Sequence, residues 1–228
     1  MKKAFTMIEL IFIIVVVGIL AAVAVPQINR NSLVEAADQV AAHIRYTQQL
    51  AMNDNKFDPD DPNWFKRLWR IQFHVASGGA GSPNDLRYTI FFDSTPVPSG
   101  NPNSLNDIAI DPQNPNKFLT SGFSDQPFNA QADRMNKKMN LTKTYNIRNI
   151  QFANCGNGNN QTISFDSYGR PMGQVAGSNV PYDRLFVGQN PCTITLTNDA
   201  GEHALITIQP ETGYVNYTLA SNTGPGGQ

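Results

Sequence analysis

The sequence predicts an α+β protein in which one long N-terminal helix packs on an antiparallel, strand-rich head. Three observations carry this. A nearly charge-free block over 5–25 is followed, to about Met52, by apolar residues at helical spacing. Later runs alternate apolar and polar residues with the period of two that a half-buried strand requires. Between them, low charge (15%) with 17 glycines and 15 prolines marks short strands joined by long loops.

The first block spans about 21 apolar residues, close to the roughly 20 a helix needs to cross the hydrocarbon core. Lys2 and Lys3 precede it, and the positive-inside bias holds that end in the cytoplasm, with the remainder across the membrane. Glu9 interrupts the block one helical turn in. A charge at such a depth costs about 2.5–3.5 kcal/mol and calls for a partner or a function. An ammonium group created by a cut between Ala4 and Phe5 would be such a partner, because attraction between subunits in low dielectric offsets the burial of both charges. Cleavage near Ala24, as in an ordinary secretory signal with Ala21, Ala22 and Ala24 as its small residues, is the alternative.

The stretch KKAFTMIELIFIIVVVGILAAVAVP resembles the class III signal of type IV pilins and type II secretion pseudopilins. The resemblance implies a prepilin peptidase that cuts after Ala4 and methylates Phe5, and an assembly role for the Glu9 carboxylate. It also implies loosening of the stem helix at Gly18 and Pro26. Ala4 departs from the Gly usual before the cut. The implied organisation is a leader over 1–4, a transmembrane half-helix over 5–25, an amphipathic half-helix over 26–52, a periplasmic head over 53–220 and a disordered tail over 221–228. The implied partners are other pilin or pseudopilin subunits, the prepilin peptidase, the inner-membrane assembly platform and the membrane itself.

Pro26 has no amide to donate, so the helix bends or loosens between Ala22 and Pro26 without ending. Beyond it, Leu33, Ala37, Val40, Ile44 and Ala51 form the stripe expected to pack on a sheet, with His43 beside it. The loop over 53–63 carries Asp54, Asp58, Asp60 and Asp61. Pro59 and Pro62 break the spacing of an EF-hand, so a solvated acidic loop is expected, with no metal.

In LWRIQFHV, Trp69, Ile71, Phe73 and Val75 form the buried face and Arg70, Gln72 and His74 the solvated one. RYTIFFD pairs with it antiparallel. Six prolines between 94 and 131 exclude a long helix or a central strand, and so long an irregular insertion is a candidate contact surface. Lys137, Lys138, Lys143 and Arg148 read as a solvated strand face. Farther on, ITL, ALITIQ and YVNYT form a meander closed at Gly201 and Gly213. This pattern is similar to the C-terminal half of the H-type minor pseudopilins.

Cys155 and Cys192, an even pair in a chain that leaves the cytoplasm, are expected to form a disulfide. The net charge of −1 favours neither nucleic acid nor an anionic surface. The three histidines are isolated, no nucleophile elbow surrounds Ser164 or Ser167, and no phosphate-binding loop precedes a helix. The expectation is a structural subunit without catalytic residues or cofactor. The alternative is a DNA-capturing minor pilin, which the neutral, Gly-rich end of the chain argues against.

Overall fold

A computed structural model describes residues 7–75, 84–123, 127–156 and 161–220, with the side chains of all but 22–31 and 127–130 among them. It is an α+β structure. Helix α1 (Met7–Asn53) runs 47 residues and its helical assignment continues through Pro26. Strands β1 (Arg70–Val75), β2 (Leu86–Phe91), β6 (Thr162–Phe165) and β7 (Pro171–Met172) form a first antiparallel sheet in the order β2-β1-β6-β7. A second has the order β10-β9-β8-β5, from β5 (Ile147–Ala153), β8 (Cys192–Asn198), β9 (His203–Ile208) and β10 (Val215–Ala220). A small hairpin joins β3 (Ile110–Asp111) to β4 (Asn114–Phe118), and a short helix α2 (Leu141–Tyr145) leads into β5.

The expected stripe is the core seam. Leu33, Ala37, Val40, Ile44 and Ala51 are buried, joined by Ala36 and Ala41. The alanines let the helix axis approach the strands closely, and the branched residues fill the space between. Against them lie Ile71, Phe73, Tyr88, Ile90, Ile163 and Phe165 from the first sheet, and Ile194, Leu196, Ala204, Ile206, Ile208 and Val215 from the second.

The β1–β2 pair has the expected antiparallel pairing, with Ile71 opposite Ile90 and Phe73 opposite Tyr88. Its second face is not solvated, however. Arg70 is fully buried and Gln72 and His74 are partly so, whereas Val75 at the strand end is 46% exposed. The proline-rich segment covers that face: Thr89 bridges Thr120, Phe91 bridges Ile108, and Phe91, Ile108, Phe118 and Met135 make a second apolar cluster. Arg70 donates to the carbonyls of Leu68 and Lys66, and its guanidinium lies over the Phe91 ring.

That segment is more ordered than its prolines suggest. Two fully buried carboxylates hold it. Asp93 accepts from Thr95 N–H at 3.1 Å and Gly100 N–H at 2.8 Å, and Asp107 from Asn103 N–H at 2.8 Å and Ser104 N–H at 3.0 Å. Pro115 is accommodated in β4, a strand of the two-stranded hairpin, where an absent donor is tolerated.

The basic stretch is not a strand face either. Lys137 and Lys138 lie in a 3-10 turn, Lys143 is in α2 with its N–H capped by Asn140, and Arg148 alone is on a strand. The acidic loop is engaged as well as solvated. Asp54 accepts from the Trp69 indole at 2.8 Å and pairs with Lys56, and Asp61 pairs with Arg67 at 3.0 Å.

The meander forms as expected, and Cys155 and Cys192 are disulfide-bonded, tying the end of β5 to the start of β8. Gly213 sits in the β9–β10 turn at φ 65°, where a Cβ would lie 2.6 Å from the Gly169 carbonyl oxygen and 2.5 Å from Gln48 Nε2. The expected tail and the loop glycines Gly78, Gly79 and Gly81 lie outside the described residues.

Two outcomes follow. Reducing the disulfide, which closes a separation of 37 residues, should lower stability by about 3–4 kcal/mol, read as a shift of the urea midpoint with and without reductant. Gly213→Ala should cost about 2–3 kcal/mol, since positive φ and contact with a backbone oxygen act together; an unchanged midpoint would contradict the turn geometry.

Candidate functional site

Of the residues singled out from the sequence, Glu9, Gly18 and Pro26 fall on α1. Ala4 and Phe5 lie outside the described residues. Glu9 is in the first turn of α1. Gly18 stands in open space, with nothing within 4 Å of the position of a Cβ, so no contact among the described residues requires a glycine there. Pro26 is in the helix, and its side chain is not described. Around Glu9 and Gly18 the surface is apolar and exposed: Met7 is 84% exposed, Phe12 71% and Leu20 63%, with Ile8, Ile11, Ile14, Val17 and Ile19 exposed between them. Among the described residues no helix is long and apolar enough to cross a membrane.

Where α1 enters the head, its polar side chains grip the head through backbone carbonyls. Ser32 Oγ donates to Tyr145 at 2.6 Å, and Arg45 Nη2 to Val215 at 2.8 Å. Gln48 Nε2 donates to Gly169 and to Thr212, so one amide holds a turn of each sheet. The helix is thereby fastened by hydrogen bonds as well as by apolar contact.

A groove of about 900 Å³ runs beside this half of α1, between Glu35, Asp38 and His43 on one wall and Asp111, Lys117 and Lys138 on the other. Its floor is a directed chain of hydrogen bonds. Tyr145 Oη donates to Gln39 Oε1 at 2.6 Å, and Gln39 Nε2 donates to Tyr88 Oη at 2.6 Å and to the Lys138 carbonyl at 2.9 Å. The Tyr88 proton is then free for His43 Nδ1 at 2.8 Å, and with the imidazole proton on Nε2 the ring accepts it.

Burial pushes the His43 pKa down to about 4 despite the nearby Asp111 carboxylate, with Lys138 adding to the fall. Burial raises Tyr88 well above its ordinary range and Tyr145 to about 12, so both stay protonated donors. Sequence reading placed His43 beside the stripe but missed the chain. The available signal was Gln39 and His43 at i, i+4, which share a helix face; their tyrosine partners come from distant segments.

Two members of the basic stretch are paired with acids. Lys143 and Arg87 meet the buried Asp85 carboxylate at 3.4 and 3.3 Å, and Arg148 lies 4.0 Å from Asp199. Burial would raise Asp85, but hydrogen bonds from Asn140, Arg87 and Lys143 hold it below its ordinary value. Among the described residues no group of three His, Cys, Asp or Glu side chains is placed to hold a metal ion.

His43 and His74 give stability a defined pH window. Burial lowers both to about 4 from the ordinary 6.5, helped at His74 by Arg87. The unfolded chain takes up protons between pH 6.5 and 4 that the folded chain refuses, so stability is full above 6.5 and lost as pH falls toward 4. His43→Leu should flatten this slope, measured by urea unfolding at pH 7, 6 and 5. An undiminished slope in the variant would show that His43 does not carry it.

No family model matches this chain, and comparison with curated proteins and with solved structures likewise returns no match.

Proposed function

We propose that this chain is a structural subunit of a pilin or pseudopilin fibre, held before assembly as a single-pass protein of the inner membrane with its head in the periplasm. The observation that carries this reading is one helix in two environments. Residues 33–51 are embedded in the head, and 7–21 project as an exposed apolar rod. Leaving a large apolar side chain in water forgoes about 1.5–3 kcal/mol, so the rod requires a cover, and a bilayer or the stems of neighbouring subunits supply one. The rod coincides with the stretch that resembles the class III signal.

In this reading a peptidase cuts between Ala4 and Phe5 and methylates Phe5, and the new ammonium meets Glu9 of an adjacent subunit as stems pack. Gly18, with open space around it, offers a place where a neighbouring helix can approach closely. The DNA-capturing alternative is less well supported. Lys143 and Arg148 face carboxylates, and Lys137 and Lys138 share their groove with Glu35, Asp38 and Asp111.

The N-terminal mass of the protein, taken from membranes of cells with and without their prepilin peptidase, tests the reading. Loss of residues 1–4 with one added methyl on Phe5, dependent on the peptidase, is expected. A mature chain beginning near Val25 would overturn it. Glu9→Ala should reach the membrane in normal amount yet be depleted from the fibre at least about tenfold, as loss of a desolvated ion pair implies; normal incorporation would remove Glu9 from the mechanism.

A further inference from the structure

Sheet edges are sites where a second chain can pair, and natural proteins blunt them with bulges, prolines, charges or covering segments. Nearly every edge of this protein is blunted. The outer side of β2 is covered through bridges from Arg87 to Asn140, Thr89 to Thr120 and Phe91 to Ile108. Strand β7 is two residues long, begins with Pro171 and is bridged at Met172 by Leu185. The β5 edge has a register shift between Ile147 and Asn149 and carries Arg148, and β4 contains Pro115 and Lys117. Strand β10 carries none of these devices in its own sequence. Its sequence VNYTLA is uncharged and proline-free, and it pairs with β9 in unbroken register from Val215 opposite Ile208 to Ala220 opposite His203.

Which backbone groups of β10 are open follows from alternation along an antiparallel strand. The Tyr214 carbonyl accepts from Gln209 N–H at 2.9 Å, so it faces β9, as do the backbone groups of Asn216 and Thr218. Those of Val215, Tyr217 and Leu219 face outward. The Arg45 guanidinium, bonded to the Val215 carbonyl from the outside, confirms the parity and closes one end of the edge. The outward groups of Tyr217 and Leu219 bond to no described residue.

We propose that this edge pairs with β10 of a second copy of the chain, antiparallel and centred on Tyr217. In that register Tyr217 exchanges both backbone bonds with its counterpart, and each Val215 N–H meets the Leu219 carbonyl of the other copy. The Leu219 N–H of the other copy faces the second lone pair of the Val215 carbonyl, beside the one that Arg45 occupies. Side chains match across the twofold axis: Val215 faces Leu219, Tyr217 faces Tyr217, and Asn216 faces Thr218, with no like charges opposed. A strand with Lys or Glu at these positions would repel itself. The contact joins two four-stranded sheets into one and is independent of the stem.

The test uses the full chain in detergent micelles. Asn216 and Thr218 are exposed, and in this register they form the non-hydrogen-bonded pair whose Cα separation suits a disulfide; the two native cysteines are already bonded to each other. Preparations of Asn216→Cys and Thr218→Cys are oxidised separately and mixed. The mixture should yield at least about tenfold more cross-linked dimer than either alone, because only unlike positions oppose one another. Adding Leu219→Pro to both should reduce the yield to that of the single preparations, since the ring occupies the outward side and spares the bonds to β9. Equal cross-linking in all three preparations would mean random collision of stems, and it would overturn the proposal. So would the absence of cross-linking in the mixture, the result expected if the edge receives a strand of a different protein.

Discussion

The embedded half of α1 is the constraint on which the rest of the head depends. It contacts β1 and β6 of one sheet and β8, β9 and β10 of the other, and its buried stripe is the common wall of a core to which both sheets contribute. Neither sheet has a sufficient apolar partner without it. Gln48, which reaches turns of both sheets, and Arg45, which holds the start of β10, set the helix position along its axis where apolar packing alone would tolerate sliding. The small residues matter for the same reason. Ala36, Ala37 and Ala41 are fully buried, and a larger side chain at any of them would push the helix away from both sheets at once.

The head also buries an unusual amount of polarity, and the manner of burial explains the long insertion. A sheet with Arg70, Gln72 and His74 on its second face would ordinarily leave that face in water. Here the insertion covers it. Arg70 is satisfied in part by the carbonyls of Leu68 and Lys66 and by the Phe91 ring, and burial lowers its pKa to about 10 against the pull of Asp93. Asp93 and Asp107 spend their lone pairs on backbone amides of the same segment, which lets a proline-rich chain hold one shape without a continuous ladder. Buried groups with fixed partners specify geometry more strictly than an apolar patch would. They also make the head sensitive to acid, because neutral buried histidines oppose protonation.

The two ends of the molecule are therefore built on opposite principles. The head satisfies much of its surface internally: Arg87, Lys143 and Arg170 meet buried carboxylates, most described sheet edges are blunted, and the disulfide fastens β5 to β8. The segment over 7–21 leaves its large apolar side chains exposed along the helix. The uncharged β10 edge is the exception on the head, which is why it stands out as a second contact.

By itself the sequence determined what depends on near neighbours in the chain. The periodicity of Leu33, Ala37, Val40 and Ile44 specified the buried helix face, alternation in β1, β2 and the meander specified strands and their pairing, and the even pair of cysteines pointed to the disulfide. The apolar block interrupted by Glu9 singled out one segment, which the structure leaves exposed over 7–21. The tertiary structure alone decided what depends on covering. Alternation in β1 identifies two faces but cannot say that a segment thirty residues on will bury the second, so Arg70 reads as solvated and is buried. Lys143 and Arg148 read as one basic stretch and are divided among different carboxylates. The chain from Tyr145 through Gln39 and Tyr88 to His43 joins residues more than a hundred positions apart. Burial and hydrogen-bond partners are properties of a surface that exists only once the chain has closed on itself.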